Sequence, residues 1–463
     1  MGEGVGRESS VEELYRLRKL SVMVLAALLV VTLVLPVSMV SILAYQVNAV
    51  AHEVDDMAVT CCPSLALTPS GGLMIAYGTA SGLVLATETS DHWSTTQVIE
   101  SVGSGFAVTV DSVSIATDSD GNPHIVSVSR WSDESATVTK VIHSTNTVSG
   151  WRNTVVDEDC QTYGASIAVD SNSNVHIVYA KNHWSQTLYY PASVNLTYAS
   201  DSTGEWVVHD LSNELPDYWW GAQVFPSICV DGMGQAHVAA LMDYVIWYLT
   251  DLTGDVQVER LGYGNPGNPD VEPSLPSITV DSDGVVHVLY FNEVQMYPDD
   301  PCERSVDHFV VSEDDSHYQN MTLDSTLDLT HSPTCALFGA DGELRLFYYD
   351  VYTVGFVTVT GESTVAEIEE LFASSREETG SWESNSGDFA VSRDDGIMVI
   401  SKPYGVAGYL TDSVTFGERL SIALSASLIL IIVAAIIASI LLPSLIISLR
   451  KLHEDDRWRK VIK

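Results

Sequence analysis

Four aspartate–histidine pairs recur along the chain, and the two residues of each pair lie six positions apart. The pairs are Asp118 with His124, Asp170 with His176, Asp231 with His237, and Asp281 with His287. The glycine, serine and asparagine residues between the partners are typical of a tight turn. We expect each carboxylate to face its own imidazole across that turn, where it fixes the histidine tautomer and satisfies a buried polar group.

A metal site built from these histidines would require several ring nitrogens to converge about 2.1 Å from one ion. The pairs stand in successive repeats of roughly 50 residues, which keeps equivalent positions apart. Three weaker copies lose both members of the pair: Thr68 with Met74, Phe338 with Arg345, and Ser392 with Met398. Because both residues of the pair are lost together, we expect the pair to make a structural contact. We therefore assign no metal ligand from the sequence.

The acidic turns also resemble the first half of a calcium loop. The candidate ligands are Asp118, Asp120, Asp281 and Asp283. A complete EF-hand loop needs a bidentate glutamate at position 12, but these segments continue as strands. Turn formation selects the same residue types. We therefore expect no cofactor, with calcium as the alternative.

Motifs for nucleophilic or metal-dependent catalysis are missing from the sequence, including G-x-S-x-G, H-E-x-x-H and the phosphate-binding P-loop. A glycosidase uses two carboxylates, but the sequence contains 61 acidic residues and singles out no pair. A sialidase-like site would hold a carboxylate with several arginines, and the arginines do not recur at one repeat position. We therefore expect that the chain is not an enzyme and has no catalytic residues.

Seven copies of one pattern divide the central region. The clearest copies begin at Ser114, Ser166, Ser227 and Ser277, and weaker ones begin at Ser64, Thr334 and Asp388. Each contains two alternating apolar runs joined by a turn, which is the signature of a β-hairpin. A third run follows, and often a fourth. Four strands per repeat predict an all-β fold, a seven-bladed β-propeller.

The repeats resemble those of sialidase-like (BNR-like) β-propellers found in secreted bacterial and archaeal proteins. Their shared form is S-I-x-V-D-x-x-G-x-x-H-V-x-Y, and the resemblance covers most of the region from Cys61 to Thr411. The sialidase Asp-box order S-x-D-x-G-x-x-W is not reproduced, because histidine stands in place of the aromatic residue. An F-R-I-P-like segment does not occur either. The resemblance therefore implies the propeller fold without sialidase activity.

Two segments outside the regular pattern carry separate expectations. The last repeat is one strand short, and the segment from His52 to Thr60 precedes the first hairpin without an evident partner. We expect this segment to supply the missing strand and close the ring. The segment from Thr364 to Arg376 has a capping-box pattern and apolar residues at helical spacing, which predicts a short acidic helix.

Two long apolar runs without charged residues flank the repeats, at 20–45 and 420–449. Each exceeds the ~20 residues that cross a bilayer as a helix. Basic residues precede the first run and follow the second, so both tails, 1–19 and 450–463, are predicted to be cytoplasmic. The first run is longer than a signal-peptide core, which favours an uncleaved anchor over a signal peptide cleaved near Ala49 and Ala51.

The formal net charge of −40 lies in the region between the two runs. Such a surface repels nucleic acid, so no nucleic-acid partner is expected. The six cysteines all lie in this region, where an oxidising environment would allow disulfides, and their pairing stays open. Asn195 and Asn320 begin N-x-T sequons, which predicts a glycoprotein.

These observations predict a membrane protein of the cell surface with an acidic extracytoplasmic propeller at 50–415. We expect it to act as a binding or scaffold module for a protein or glycan partner outside the cell, or as a subunit of a membrane or surface assembly. The alternative is an extracellular glycan-acting hydrolase, for which acids or arginines with aromatic walls should converge at one face of the ring.

Overall fold

The computed structural model describes most of the repeat region and parts of both flanking segments. The described residues are 13, 15–28, 50–58, 63–89, 93–100, 107–132, 137–158, 164–184, 191–215, 224–242, 245–263, 273–294, 303–311, 317–323, 334–338, 342–349, 353–359, 365–366, 368–373, 387–391, 397–401, 406–411, 436–451 and 453–454. The chain divides into two compact units, one of which is Ala51–Ser413. The other unit combines Met1–Val50 with Val414–Lys463.

The unit Ala51–Ser413 is built from β-strands in seven sheets. Strand β1 is Val50–Ala58. The strands of blade 1 are β2 (Ser64–Leu67), β3 (Leu73–Thr79), β4 (Gly82–Glu88) and β5 (Trp93–Glu100). The strands of blade 2 are β6 (Ala107–Thr117), β7 (Pro123–Ser132), β8 (Thr137–Thr147) and β9 (Gly150–Glu158). The strands of blade 3 are β10 (Ala165–Val169), β11 (Val175–Trp184), β12 (Pro191–Ser200) and β13 (Val207–Asp210), and a 3-10 turn follows at Ser212–Glu214.

The next two blades repeat this order. The strands of blade 4 are β14 (Val224–Val230), β15 (Ala236–Met242), β16 (Val245–Thr250) and β17 (Gln257–Tyr263). The strands of blade 5 are β18 (Ser277–Val280), β19 (Val286–Val294), β20 (Glu303–Val311) and β21 (His317–Leu323). Within each blade, consecutive strands pair antiparallel in sequence order. Short loops favour this local pairing over long crossovers.

The last two blades depart from the simple order. The strands of blade 6 are β22 (Thr334–Phe338), β23 (Leu344–Tyr349), β24 (Thr353–Val359) and β26 (Ile368–Ala373), while β25 (Val365–Ala366) pairs parallel with β21 of blade 5. Blade 7 contains β27 (Gly387–Val391), β28 (Ile397–Ser401) and β29 (Val406–Thr411). Its fourth strand is β1, which pairs with β29. The expectation that the segment after residue 50 supplies the missing strand is confirmed.

The seven sheets form a closed cycle, as in a seven-bladed β-propeller. The first strand of each blade contacts the first strand of the next, in the order β2, β6, β10, β14, β18, β22 and β27, and β27 contacts β2 again. Closure of a ring in this way leaves few open sheet edges. The predicted all-β propeller is thus supported in its strands and sheets.

The apolar core lies in layers between successive blades. Separate clusters join blades 1 and 2, blades 2 and 3, blades 3 and 4, blades 4 and 5, and blades 5 and 6. Four tyrosines at the same position of the second strand are almost fully buried in or beside these layers: Tyr77, Tyr179, Tyr290 and Tyr348. Both faces of a blade are therefore covered, which explains why its inner strands are apolar at nearly every position.

The predicted helix between Thr364 and Arg376 is wrong. Val365–Ala366 and Ile368–Ala373 are strands. The second of these pairs with β24 and completes blade 6. This segment forms a strand and not a helix because the unpaired edge of β24 offers it a full set of backbone hydrogen bonds. Such tertiary pairing outweighs a weak helix propensity.

The prediction of two membrane-spanning helices is contradicted. Residues 15–28 and 436–451 are helical, but within the described part of the chain none of the helices has the length and apolarity to cross a bilayer. The rest of both runs lies outside the described residues.

The expectations that depended on these helices change with them. A membrane partner, a location at the cell membrane and two cytoplasmic termini were all inferred from the spans at 20–45 and 420–449. Because the described helices do not meet the requirement for spanning, we correct all three.

Candidate functional site

The connections between strands alternate between the two ends of the ring. The first and second strands of a blade, and the third and fourth, are joined at one end, which we call the turn end. The second and third strands are joined at the opposite end, where the chain also passes to the next blade, and we call this the loop end. The four Asp–His pairs lie at the turn end, because each spans the connection between the first two strands of its blade.

Each aspartate of these pairs organises its turn. Asp118 Oδ1 accepts hydrogen bonds from the backbone N–H groups of Asp120 and Asn122, at 3.0 and 2.8 Å. The aspartates of blades 3, 4 and 5 bind the backbone in the same way. The turns therefore repeat because one carboxylate oxygen satisfies two N–H groups that the strand ladder leaves unpaired.

The second carboxylate oxygen of each aspartate faces the histidine. The distances from Oδ2 to Nε2 are 3.6 Å in blade 2, 3.8 Å in blade 3, 3.6 Å in blade 4 and 3.4 Å in blade 5. On its other side each imidazole is hydrogen-bonded through Nδ1 to a residue of the third strand, at 2.7–3.1 Å. These residues are His143, Tyr198, Tyr248 and His308. Each pair thus lies in a row of three side chains across its blade.

The charges at the turn end are fixed by this arrangement. Burial alone would raise the pKa of Asp118, but hydrogen bonds from Asn122 outweigh it and the pKa is lowered. Burial lowers the pKa of His124 despite the nearby carboxylate. It lowers the pKa of His143 to about 3 and that of His308 to about 4, and in both cases a neighbouring histidine adds to the effect. The lowered pKa values of Asp118 and His124 leave an ionised carboxylate next to a neutral imidazole, which indicates a structural contact.

The calcium alternative gains no support at these turns. The carboxylate oxygens of Asp118 are engaged by Asp120, Asn122 and His124. In the described residues, no group of three or more histidine, cysteine or acidic side chains is placed to hold a metal ion. Calcium at Asp118, Asp120, Asp281 and Asp283 stays a sequence-based prediction.

A different constellation lies at the loop end, between blades 2 and 3. The carboxylate of Asp157, near the end of β9, accepts hydrogen bonds at 2.7 Å from both the hydroxyl of Tyr179 and the ammonium of Lys181 on β11. Its other oxygen accepts the backbone N–H of Glu158 at 2.8 Å. Burial would raise the pKa of Asp157, but the lysine and tyrosine outweigh burial and lower it. The result is a carboxylate held ionised at the end of a strand.

A β-bulge positions this carboxylate. The register between β8 and β9 shifts between Val141 and Ile142, so that Val156 has no partner on β8 and turns into the core. A bulge bends the strand and changes the direction of the side chains that follow. Shifts at the corresponding place occur in blades 1, 4 and 6, but only blade 2 carries two adjacent carboxylates after the bulge.

Two more ion pairs surround Asp157 at the loop end of blade 2. Arg130 Nη2 lies 2.7 Å from Asp111 Oδ1, and Lys140 Nζ lies 2.8 Å from Glu158 Oε1. The Lys140 ammonium also lies 5.8 Å from the centre of the Trp131 ring. The indole N–H of Trp131 is buried and has no hydrogen-bond partner. Aromatic and charged side chains therefore meet at this end.

The sequence segments that join strands at the loop end are rich in aromatic residues. They contain Phe106, Tyr163, Tyr189, Tyr190, Tyr218, Trp219, Trp220, Tyr244 and Tyr297. The segments that join first and second strands at the turn end contain none from blade 1 to blade 6. All nine lie outside the described residues, so they count only as the composition of these segments. A combination of aromatic and polar residues is typical of ligand sites.

The sequence did not predict Asp157, Tyr179 and Lys181 as site residues, because they belong to none of the repeated turns. One signal was available, since lysine is rare in the repeat region and Lys181 is one of three. A second missed residue is Asp307 on β20, which is almost fully buried and accepts hydrogen bonds from Asn292, Ser305 and Asn320. Burial raises its pKa, and the closed network around it indicates a role in packing.

The arginines do not form a clamp. Among the described residues, Arg130, Arg152, Arg260, Arg304 and Arg345 lie on four different blades and at both ends of the strands. A sialidase-like site would need several of them to meet at one carboxylate. Arg376 and Arg393 lie outside the described residues. The hypothesis of an arginine-based site gains no support from the part of the ring that the structure describes.

The predicted glycosylation sites and cysteines lie in ordered strands. Asn195 Nδ2 donates a hydrogen bond to Asp210, and Asn320 Nδ2 donates one to Asp307. Glycosylation at both stays a prediction. Cys229 and Cys335 are not joined in a disulfide, and burial raises the pKa of Cys229. The other four cysteines lie outside the described residues.

Comparison with known proteins finds similarity only at the level of solved structures. No family model matches the chain, and no curated protein matches it. A polysaccharide lyase aligns with 78% of this chain and 98% of its own at 7% identity and a TM-score of 0.46. An α-L-arabinanase from Penicillium chrysogenum, complexed with arabinobiose, aligns with 79% of this chain and 95% of its own at 9% identity and a TM-score of 0.42. A sialidase mutant from Trypanosoma rangeli aligns with 77% of this chain and 61% of its own at 11% identity and a TM-score of 0.41.

The expectation that the chain is not an enzyme is contradicted by these comparisons, because all three neighbours are described as enzymes or carry an enzyme's name. We correct that expectation here. The likeness does not reach the particular BNR-like repeat that the sequence resembles.

Proposed function

We propose that the chain is a glycan-acting hydrolase of propeller fold, with its substrate bound at the loop end of blades 2 and 3. The observation that carries this proposal is the ionised carboxylate of Asp157, held by Tyr179 and Lys181 after a β-bulge. Hydrolysis of a glycosidic bond uses two carboxyl groups on either side of the bond. Asp157 and its neighbour Glu158 supply such a pair.

The two carboxyl groups have different surroundings. Glu158 pairs with Lys140, and its side chain is 55% exposed. Asp157 is largely enclosed by Tyr179 and Lys181 of the next blade. Because adjacent residues of a strand point to opposite faces of the sheet, the groups stand on the two sides of the end of β9. A glycosidic oxygen lying across that end would meet both.

The proposed chemistry assigns one step to each group. In the free protein Glu158 is paired with Lys140, so it first leaves that pair and takes up a proton from solvent; it then donates this proton to the glycosidic oxygen as the bond to the anomeric carbon breaks. Asp157 accepts a proton from the water that attacks the same carbon, so water is consumed and both charges are restored by proton exchange with solvent. Tyr179 and Lys181 are positioning residues, because they hold the Asp157 carboxylate in place and ionised.

The loop end also offers what sugar binding requires. Sugars present apolar ring faces that pack on aromatic side chains, and hydroxyl groups that bond to charged or amide groups. Trp131, near the end of β7, supplies the first kind of contact. The ion pairs Arg130–Asp111 and Lys140–Glu158 supply the second.

The test is release of reducing sugar from a panel of polysaccharides by the full chain, with detection of unsaturated products as a separate readout. We expect hydrolysis of at least one polysaccharide, and a loss of about 100-fold or more in kcat for Asp157→Asn and for Glu158→Gln, the usual range for a general acid or base. Asp170→Asn, at the turn end, is the matched control and should keep its kcat.

Three results would contradict the proposal. The first is binding of glycans without release of sugar, and the second is formation of unsaturated products by elimination. The third is a loss of activity in Asp170→Asn as large as that in Asp157→Asn, with both variants folded by circular dichroism. As a positioning residue, Tyr179 should behave differently, so Tyr179→Phe should shift the acidic limb of the pH profile of kcat more than it lowers the maximum.

A further inference from the structure

Each described cation at the loop end of blade 2 is matched by a carboxylate. Arg130 pairs with Asp111 at 2.7 Å, Lys140 with Glu158 at 2.8 Å, and Lys181 of blade 3 with Asp157 at 2.7 Å. Recognition of an anionic sugar requires a cation that can turn its N–H donors to the ligand. Here each of the three cations directs one donor at a carboxylate of the chain itself, which offsets its charge locally.

The surrounding sequence adds negative charge and no positive charge. The segments that join the strands at this end of blades 2 and 3, at 101–106, 133–136, 159–163 and 185–190, contain Asp133, Glu134 and Asp159 but neither lysine nor arginine. The chain as a whole carries a formal net charge of −40. An approaching polyanion is therefore repelled both by the whole molecule and by this end of the ring.

We infer that the loop end selects uncharged glycans and rejects polyuronates and sulfated polysaccharides. This inference rests on the proposed function, because it names the substrate class of the same site. It differs from a statement about net charge alone, because it depends on the local pairing of Arg130 with Asp111 and of Lys140 with Glu158. Removing one acidic partner should therefore change the selectivity.

Arg130 lies near enough to the carboxyl pair for this effect. It stands on β7, two strands from β9, which corresponds to about 10 Å at the usual strand spacing. The Debye length at 0.1 M salt is also about 10 Å. The Arg130 side chain is half exposed, so it can reach a bound sugar once its partner is removed.

The experiment compares polysaccharides that share a backbone and differ in charge. Hydroxyethyl cellulose is paired with carboxymethyl cellulose, and methyl-esterified homogalacturonan with its de-esterified form; any backbone cleaved in the panel above is added in neutral and carboxylated versions. We expect the uncharged member to be hydrolysed at least about tenfold faster at low salt. The difference should shrink as salt is raised, because salt screens exposed charges.

A pair of variants tests the local cause. Asp111→Asn frees Arg130 and should raise the relative rate on the carboxylated member several-fold. The double variant Asp111→Asn with Arg130→Gln removes both charges and leaves the net charge unchanged. Its ratio of the hydrolysis rate on the carboxylated member to that on the uncharged member should return to the ratio of the natural chain.

The outcomes separate the two proposals. Hydrolysis that prefers the anionic member of a pair overturns the inference and leaves the hydrolase intact. If the single and double variants show the same ratio of rates on the carboxylated and uncharged members, the pairing of Arg130 with Asp111 does not set the selectivity, and the inference is overturned. Hydrolysis of no polysaccharide in the panel overturns the proposed function, and the inference falls with it.

Discussion

The turn end and the loop end of the ring are made by the same strands, but they are stabilised in different ways. At the turn end, an aspartate and a histidine from one short segment face each other at 3.4–3.8 Å in four consecutive blades, and the aspartate binds the backbone of its turn. At the loop end, the polar contacts join different strands and different blades, as Asp157 does with Tyr179 and Lys181.

This difference shows how a repeat protein separates stability from function. A contact contained within one repeat can be copied from blade to blade, because it needs only its own segment. A contact between unlike blades is free to vary, and the proposed active site uses such a contact. The predictions below measure how much the turn end and the packing between blades at the loop end each contribute to stability.

The largest expected effect is acid destabilisation from the turn end. His143 and His308 titrate near 6.5 in the unfolded chain, but in the folded chain their pKa values are about 3 and about 4. Below pH 6.5 the unfolded chain therefore binds more protons, so the free energy of unfolding falls as the pH drops from 6.5 towards 4. Each histidine should contribute on the order of 3–4 kcal/mol. Urea unfolding at several pH values measures this.

The control is the double variant His143→Gln with His308→Gln, which removes both titrating groups. Its stability should depend less on pH between 6.5 and 4 than that of the natural chain. If the stability of both proteins depends on pH in the same way, His143 and His308 do not cause the loss of stability in acid.

A substitution at the loop end of blade 4 should have the next largest effect. A Cβ atom at Gly262 would lie 1.9 Å from the hydroxyl oxygen of Tyr290, which is 1% exposed and cannot move away. We expect Gly262→Ala to lower the free energy of unfolding by about 3 kcal/mol, at the upper end for overpacking. Thermal and urea unfolding measure it.

Gly232 in the turn of blade 4 is the matched control, because a Cβ there meets no atom within 4 Å. We expect Gly232→Ala to change stability by less than about 0.5–1 kcal/mol. Equal effects at Gly262 and Gly232 would show that the packing between blades 4 and 5 is looser than the structure indicates.

The smallest effect is a gain in stability at one turn. The fourth turn residue is glycine with φ between 83° and 86° in blades 2, 4 and 5, but in blade 3 it is Ser173 with φ 63°. Non-glycine residues are strained in this region. Ser173→Gly should stabilise the chain by about 0.5–1 kcal/mol and leave activity unchanged, whereas Ser171→Gly in the same turn should not stabilise it. If Ser173→Gly lowers the free energy of unfolding, the backbone at Ser173 is not strained as proposed.

Much of the fold could be predicted from the sequence. The alternation of apolar residues and the turn residues between Asp118 and His124 depend on neighbours in the chain, and the strands and turns were found where expected. The helix predicted between Thr364 and Arg376 failed because the open edge of β24 decided its conformation. The predicted membrane spans are corrected because none of the described helices is long and apolar enough to cross a bilayer.

The sequence by itself determined the repeat, the strand pairs and the four Asp–His pairs of the turn end, because these interactions are short in sequence and recur in every strong copy. Only the tertiary structure decided that Asp157 meets Tyr179 and Lys181, which follow it by 22 and 24 positions on the next blade. That contact depends on the bulge in β9 and on the packing of two sheets, and neither leaves a pattern in the order of the residues.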